Sequence, residues 1–150
     1  MRSPHEPFIG VWELDPDTLD YQHGRPGRRA LYTIESLPEG LRFVLDADDA
    51  DGKRMHHVYG GNLDGDDIPI PGTPLTLALG KPDEYTIEST LKEDGRVLDR
   101  WTRVVQEDGD TMLITQHGFC PDGKPFRNNG IYRRVRQAQG TRTQLPSPIE

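Results

Sequence analysis

The stretch that decides the fold, residues 96–119, reads RVLDRWTRVVQEDGDTMLITQHGF. Two runs rich in β-branched and aromatic residues flank a single Asp-Gly pair, Asp108-Gly109. Asp-Gly suits a tight hairpin, because both central residues of a type I′ turn need a positive φ. The stretch therefore predicts two antiparallel strands joined by a tight turn.

The same turn-forming Asp-Gly pair recurs along the whole chain. Asp-Gly pairs begin at residues 51, 64, 94, 108 and 122, and Glu39-Gly40 resembles a sixth turn. The segments between these turns predict strands at 8–14, 29–36, 40–46, 53–62, 66–70, 75–79, 84–92, 96–106, 110–119 and 125–135. A meander of this size usually closes into a barrel, which removes the exposed edges. We expect an all-β fold: a single antiparallel up-and-down β-barrel of eight to ten strands with a central cavity.

Three segments lie outside this regular pattern. We expect residues 1–7 to form an N-terminal extension, residues 8–136 the barrel and residues 137–150 a polar, flexible C-terminal tail. The prolines and glycines of residues 15–28 predict a loop. Residues 68–74 predict an irregular edge or a lid over one mouth of the barrel, because proline cannot donate a ladder hydrogen bond.

Composition narrows the class of protein. The chain has 150 residues, the size of one domain, and only 33% of them are apolar. Its net charge of −7 argues against a nucleic-acid partner, and no run approaches the ~18 apolar residues of a membrane span. The single cysteine, Cys120, cannot form an intramolecular disulfide, and the N-terminus lacks the apolar core of a signal peptide. We expect a cytoplasmic monomer or homodimer.

The first and last predicted strands carry a recognisable pattern. Residues 8–14, Phe-Ile-Gly-Val-Trp-Glu-Leu, resemble the Gly-x-Trp opening strand of lipocalins and fatty-acid-binding proteins, the calycin superfamily. Residues 131–134 look like the closing strand, whose basic residue stacks on that tryptophan. We assign Trp12 and Arg133 to this structural plug. Residues 8–136 also resemble bacterial stand-alone lipocalin-like proteins, in the stretches Asp48–Lys53, Asp64-Gly65 and Thr102–Val105.

The resemblance implies a barrel but not a fatty acid as its ligand. The Arg-x-Tyr pair that holds a carboxylate in fatty-acid-binding proteins is missing, because Gly130 stands two residues before Tyr132. Residues 15–28 are also too short for the helical lid of that family. Haem binding of the nitrobindin kind would need a histidine ligand, for which His117 is the nearest candidate.

Alternate residues of a strand share one face, which groups the candidate site residues. Strand 53–62 places Met55, His57 and Tyr59 together, and strand 96–106 groups Trp101 with Arg103. Aromatic side chains supply apolar walls with polar tips, an arginine holds an anionic or carbonyl group, and a histidine can move a proton near neutral pH. We predict Tyr32, Trp101 and Arg103 as ligand-binding residues, and His57, His117 and Tyr59 as catalytic residues.

Three functions fit these observations. The first is a binding module that holds a small, largely apolar molecule in the barrel. The second is a cofactor-independent cyclase, isomerase or hydratase that uses the same cavity for a small hydrophobic substrate. The third is an interaction protein with a filled core. No metal or cofactor is predicted, because aligning Gly52 with the glycine of a calcium loop leaves alanine and valine at the ligand positions.

Overall fold

A computed structural model describes residues 6–136, so the predicted tail at 137–150 and the first five residues lie outside it. After a short 3-10 turn at Glu6–Phe8, the chain forms ten strands. They are β1 (Gly10–Tyr21), β2 (Arg29–Ser36), β3 (Leu41–Asp48), β4 (Arg54–Gly61), β5 (Asp64–Pro69), β6 (Leu75–Asp83), β7 (Thr86–Glu93), β8 (Arg96–Val105), β9 (Thr111–Phe119) and β10 (Pro125–Arg134). The prediction of an all-β fold is confirmed.

The strands form one antiparallel sheet in the order β4-β3-β2-β1-β10-β9-β8-β7-β6-β5. The sheet curls so that the first strand pairs with the last, and β4 and β5 form its two ends. The barrel is therefore open along the seam between β4 and β5, where the sequence predicts a closure that removes every edge. β5 is a poor partner for a further ladder, because its pairing with β6 is already irregular between Asp64 and Asp67 and it ends in a proline.

β1 is longer than predicted and includes residues that the sequence assigns to a loop. Its register against β10 shifts between Asp15 and Asp20, which leaves Pro16 in a bulge with no ladder bond to donate. The Thr18 hydroxyl repairs the ladder, since it donates to the Asp15 carbonyl at 2.7 Å and accepts the Ile131 N–H at 2.9 Å. The predicted loop at 15–28 is therefore wrong for residues 15–21, because a side chain replaces the missing backbone pairing.

One end of the barrel is closed by an arginine stacked on a tryptophan. Trp12 is fully buried, and the guanidinium carbon of Arg134 lies 4.3 Å from its ring centroid. The Arg134 guanidinium also donates to three backbone carbonyls, those of Pro7, Ile9 and Gly109. The prediction of Arg133 for this role is wrong by one position.

Strand alternation explains the error, because neighbouring residues of β10 point to opposite faces. Arg133 points outward and pairs with Asp15 at 3.0 Å, whereas Arg134 points into the closed end. The glycine of the Gly-x-Trp pattern leaves space for the Arg134 side chain. A Cβ on Gly10 would lie 2.6 Å from the Arg134 Nη1 atom, and Gly10 has a positive φ of 139°. The pattern therefore makes room for the plug.

The apolar core fills the closed half of the barrel. Its fully buried members include aromatic, aliphatic and sulfur-containing side chains from most of the strands: Phe8, Trp12, Ile34, Leu41, Phe43, Leu79, Ile87 and Met112. The connections after β1, β3, β5, β7 and β9 lie at the other end, since the strands alternate in direction. That end forms the mouth, and the space below it remains unfilled.

Candidate functional site

The mouth half of the barrel encloses a cavity of about 820 Å³. Small-molecule sites in proteins typically measure ~300–1,000 Å³ and have mostly apolar walls. The walls here include seven aliphatic side chains: Leu14, Leu19, Leu45, Ile70, Leu77, Leu91 and Ile114. The barrel therefore has the central cavity that the sequence led us to expect, and the third alternative, a filled core, does not fit it.

Arg103 forms the floor of this cavity and is only 3% exposed. Its Nε and Nη2 atoms donate to the Tyr32 hydroxyl at 3.2 and 3.0 Å, and Nη2 also donates to the Tyr59 hydroxyl at 2.8 Å. Its Nη1 atom donates to Ser89 Oγ at 2.9 Å. The side chain thus links β8 and β7 to β2 and β4 on the opposite wall.

No carboxylate compensates this buried charge among residues 6–136. All of its hydrogen-bond acceptors are neutral hydroxyl groups, and the rings of Phe43 and Tyr32 lie 5.2 and 5.6 Å from its guanidinium carbon. Buried charges in proteins are normally paired, because the cost of removing an ion from water is large. The cavity floor therefore presents a positive charge to whatever enters.

Tyr132 adds a second polar group to the same floor. It lines the cavity, its ring centroid lies 6.0 Å from that of Tyr32, and no hydrogen bond to its hydroxyl is present among the described residues. Burial raises the pKa of the Tyr132 hydroxyl far above its usual value; Tyr21 and Tyr59 add to this, and Arg103 opposes it. The hydroxyl therefore stays protonated and can donate a hydrogen bond.

Five of the predicted site residues line the cavity, namely Tyr32, His57, Tyr59, Trp101 and Arg103. Sequence reasoning missed Ser89 and Tyr132, which also line it. Alternation groups Tyr132 with Asn128 on one face of β10, but only the structure shows that this face lines the cavity. Ser89 carries no sequence signal, because only its register opposite Trp101 places it beside Arg103.

The two candidate catalytic histidines lie in different places. His57 borders the cavity on the edge strand β4, next to the open seam; it is exposed and has no hydrogen-bond partner among residues 6–136. His117 is exposed on the outer face of β9, with Arg100 and Arg127 as its neighbours on the adjacent strands. The prediction that His117 faces the cavity is wrong, because the face of β9 that points inward carries Ile114 and Gln116.

Charged residues surround the mouth. Arg29 pairs with Asp48 at 3.3 Å, and Arg25 in the β1–β2 connection pairs with Asp51 at 2.9 Å. Exposed pairs of this kind contribute little to stability, typically ~0–1 kcal/mol. In residues 6–136 no group of three His, Cys, Asp or Glu side chains is arranged to hold a metal ion. The described chain also contains no helix with the length and hydropathy needed to cross a membrane.

Comparisons with known proteins identify the fold. The chain matches no protein-family model, and no curated protein matches it in sequence. One mutant of the fluorescent protein UnaG superposes with a TM-score of 0.61 at 14% identity, over 88% of this chain and 99% of its own. A second UnaG mutant superposes with a TM-score of 0.60 at 13% identity, over 87% of this chain and 97% of its own.

A third structure, zebrafish ileal bile acid-binding protein complexed with cholic acid, superposes with a TM-score of 0.53 at 10% identity. This similarity covers 86% of this chain and 99% of the zebrafish protein. Identities this low establish the fold alone. The chain has the calycin-like barrel that its first and last strands led us to expect.

Proposed function

We propose that this protein binds a small amphipathic molecule, with its acidic head group at Arg103 and its apolar body along the walls of the cavity. The observation that carries the proposal is the buried guanidinium on the cavity floor, which has no carboxylate partner among residues 6–136. An acidic ligand supplies the missing charge, and charge-assisted hydrogen bonds to arginine are among the strongest in proteins.

The hydrogen bonds of Arg103 leave one of its N–H donors for a ligand. Arginine has five N–H groups, and four of them donate to Tyr32, Tyr59 and Ser89. The remaining N–H on Nη1 is available to a ligand. Because the tyrosine hydroxyls accept from the guanidinium, their own protons are free to donate, and the Tyr132 hydroxyl is a further donor.

The structural neighbours support a ligand of this kind. One of them was crystallised with cholic acid, a steroid acid that combines a large apolar body with a carboxylate. The cavity volume of about 820 Å³ in this chain leaves room for a ligand of similar class. The apolar walls favour a hydrophobic body through burial of its surface, at ~25 cal/mol per Å².

The test is isothermal titration calorimetry of the full chain with decanoate and with methyl decanoate. The two ligands share an apolar chain and differ in the charge of the head group. We expect decanoate to bind at least ~10-fold more tightly, which corresponds to ~1.4 kcal/mol. Equal affinities, or binding of neither ligand, would refute the proposal.

The catalytic alternative rests on His57, an exposed residue that borders the cavity and has no hydrogen-bond partner among the described residues. Native mass spectrometry of the purified protein separates the two functions. A carrier releases the molecule it took up, whereas an enzyme releases a molecule of different mass or, for an isomerase or cyclase, of different chromatographic retention. His57→Ala would lower turnover more than affinity if His57 is a catalytic residue.

A further inference from the structure

The cavity reaches the free edge of β4, where the barrel stays open. Residues 55–59 of this strand all border the cavity, although neighbouring residues of a strand face opposite sides. A cavity confined to the inner face would contact only the odd-numbered residues. His56 points outward, where its Nδ1 atom lies 2.6 Å from Asp46 Oδ1, and Val58 is exposed as well. The space inside the barrel therefore continues past the backbone of β4 into the seam.

The register of β4 against β3 determines which of its backbone groups are free. In an antiparallel strand the N–H and C=O of alternate residues point to opposite neighbours. The Asp49 N–H donates to the Lys53 carbonyl at 2.9 Å, so the odd-numbered residues that follow in β4 bond β3. The N–H and C=O groups of Arg54, His56 and Val58 point to the seam instead. No group among residues 6–136 forms a hydrogen bond with them.

The two strands that border the seam differ in how well they can accept another strand. Natural edge strands are usually blocked by bulges, prolines or charges. β5 has an irregular register and ends in Pro69, and none of its residues borders the cavity. β4 pairs with β3 without interruption and contains no proline. The regular edge of the seam is therefore the one that the cavity reaches.

The free edge also leads from the cavity floor to the mouth. β4 begins at the mouth with Arg54 and runs down to Tyr59, whose hydroxyl accepts from Arg103 Nη2 at 2.8 Å. The stretch from Arg54 to Val58 measures ~13 Å in an extended strand. At the closed end the strands approach each other, since a Cβ on Gly61 would lie 3.1 Å from Ile68 Cδ1. A ligand held at Arg103 thus leaves the floor alongside unpaired backbone groups.

We infer that the ligand is a short apolar peptide with a free C-terminal carboxylate, which binds Arg103 and adds to the edge of β4 as a strand. This inference rests on the proposed function, since Arg103 must hold the carboxylate. The uncompensated charge of Arg103 selects the acidic end, and the apolar walls accept the side chains that an added strand points inward. With its C-terminus on the floor the peptide runs in the direction of β4, so the pairing is parallel.

A peptide of three residues is long enough to test the pairing. In acetyl-leucyl-valyl-leucine, the terminal leucine turns in to the floor. The valine N–H then donates to the His56 carbonyl, and the valine and acetyl carbonyls accept the Val58 and His56 N–H groups. Decanoate offers the same carboxylate and an apolar body but no backbone, so it is the matched control ligand.

Hydrogen exchange of the full chain, measured by NMR, reads these contacts directly. With each ligand at saturation, we expect the His56 and Val58 amides to exchange at least ~10-fold more slowly with the tripeptide than with decanoate. The His57 amide bonds β3 in either case and should differ by less than ~2-fold. Equal exchange of the His56 and Val58 amides with the two ligands would overturn the inference.

Proline substitution on the edge gives an independent test by calorimetry. Val58→Pro removes an N–H that points to the seam and leaves the bonds to β3 in place. We expect it to weaken the tripeptide by at least ~10-fold and decanoate by less than ~2-fold. Asp67→Pro places the same block on β5, the opposite edge of the seam, and is the matched control. If it weakens the tripeptide as much as Val58→Pro does, the pairing with β4 is wrong.

Two methylated tripeptides make the result independent of the folding of any variant. A methyl group on the valine nitrogen removes the donor that faces β4, whereas one on the first leucine nitrogen lies on the other side of the added strand. We expect the first to weaken binding to the wild type at least ~10-fold more than the second. If decanoate binds but the two methyl groups have equal effects, only the pairing with β4 fails. If neither decanoate nor the tripeptide binds, the proposed function fails and this inference fails with it.

Discussion

Arg103→Met is the most direct test of whether the cavity is built for an acid. Methionine keeps an unbranched, flexible side chain on the floor but removes the charge and all five N–H donors. We expect decanoate to lose most of its advantage over methyl decanoate, while the affinity for the ester changes by less than ~2-fold, since the apolar walls are intact.

The magnitude follows from the position of Arg103 at 3% exposure beneath an open cavity. Removal of one partner from a buried, hydrogen-bonded charge pair costs ~2–5 kcal/mol. Solvent reaches the head group through the mouth, which places the cost at the lower end, ~2–3 kcal/mol. At ~1.4 kcal/mol per factor of ten, the affinity for decanoate should fall by roughly 30- to 140-fold.

The free energy of unfolding should change no more than the free energy of binding. The variant loses four hydrogen bonds to Tyr32, Tyr59 and Ser89, but the cavity lets water replace them, and the protein no longer holds an uncompensated buried cation. We expect the free energy of unfolding in urea to stay within ~2 kcal/mol of the wild type.

The matched control is Arg100→Met, three residues away on the exposed face of the same strand, where the side chain bonds only the Thr90 hydroxyl, at 3.4 Å, among residues 6–136. Calorimetry of both variants with both ligands gives the comparison. If Arg103→Met weakens the acid and the ester equally, or if Arg100→Met weakens decanoate as much, the assignment of the head group to Arg103 is wrong.

Three further predictions concern the plug, the mouth and the outer face. Arg134→Met removes the cation over Trp12 and should lower the free energy of unfolding in urea by ~2–4 kcal/mol. The control, Arg133→Met on the exposed face, should lower it by less than ~1 kcal/mol. Equal losses in the two variants would contradict the role of Arg134 in the plug. Burial raises the pKa of the Asp99 carboxyl group, so its contribution to stability is present with the acid protonated and is lost as the pH rises through the raised pKa. Urea titrations at increasing pH, from ~4 upward, should therefore show Asp99→Asn gaining stability relative to the wild type, and a difference that does not change with pH would refute this prediction. His117→Ala should leave the affinity for decanoate within ~2-fold in calorimetry, and a tenfold loss would show that His117 reaches the ligand.

Strand alternation makes part of the site predictable from sequence. Tyr59 and His57 share a face of β4, and Trp101 and Arg103 share a face of β8, so the sequence pattern alone groups each pair, and all four residues line the cavity. Alternation does not tell which of the two faces of a strand points inward. The alternation places His117 in one row with further residues of β9, but the inward row of that strand is the other one.

The sequence by itself determined the meander, because Asp-Gly turns and β-branched runs are local signals that depend on a few neighbouring residues. The resemblance of the Gly-x-Trp strand to the opening strand of calycins indicated a plugged barrel. Tertiary structure alone decided which arginine of β10 forms the plug, that the sheet stays open between β4 and β5, and that Ser89 and Tyr132 join Arg103 on the cavity floor. The physical reason is that these features depend on register and curvature, which bring together residues from distant strands and leave no trace in local spacing.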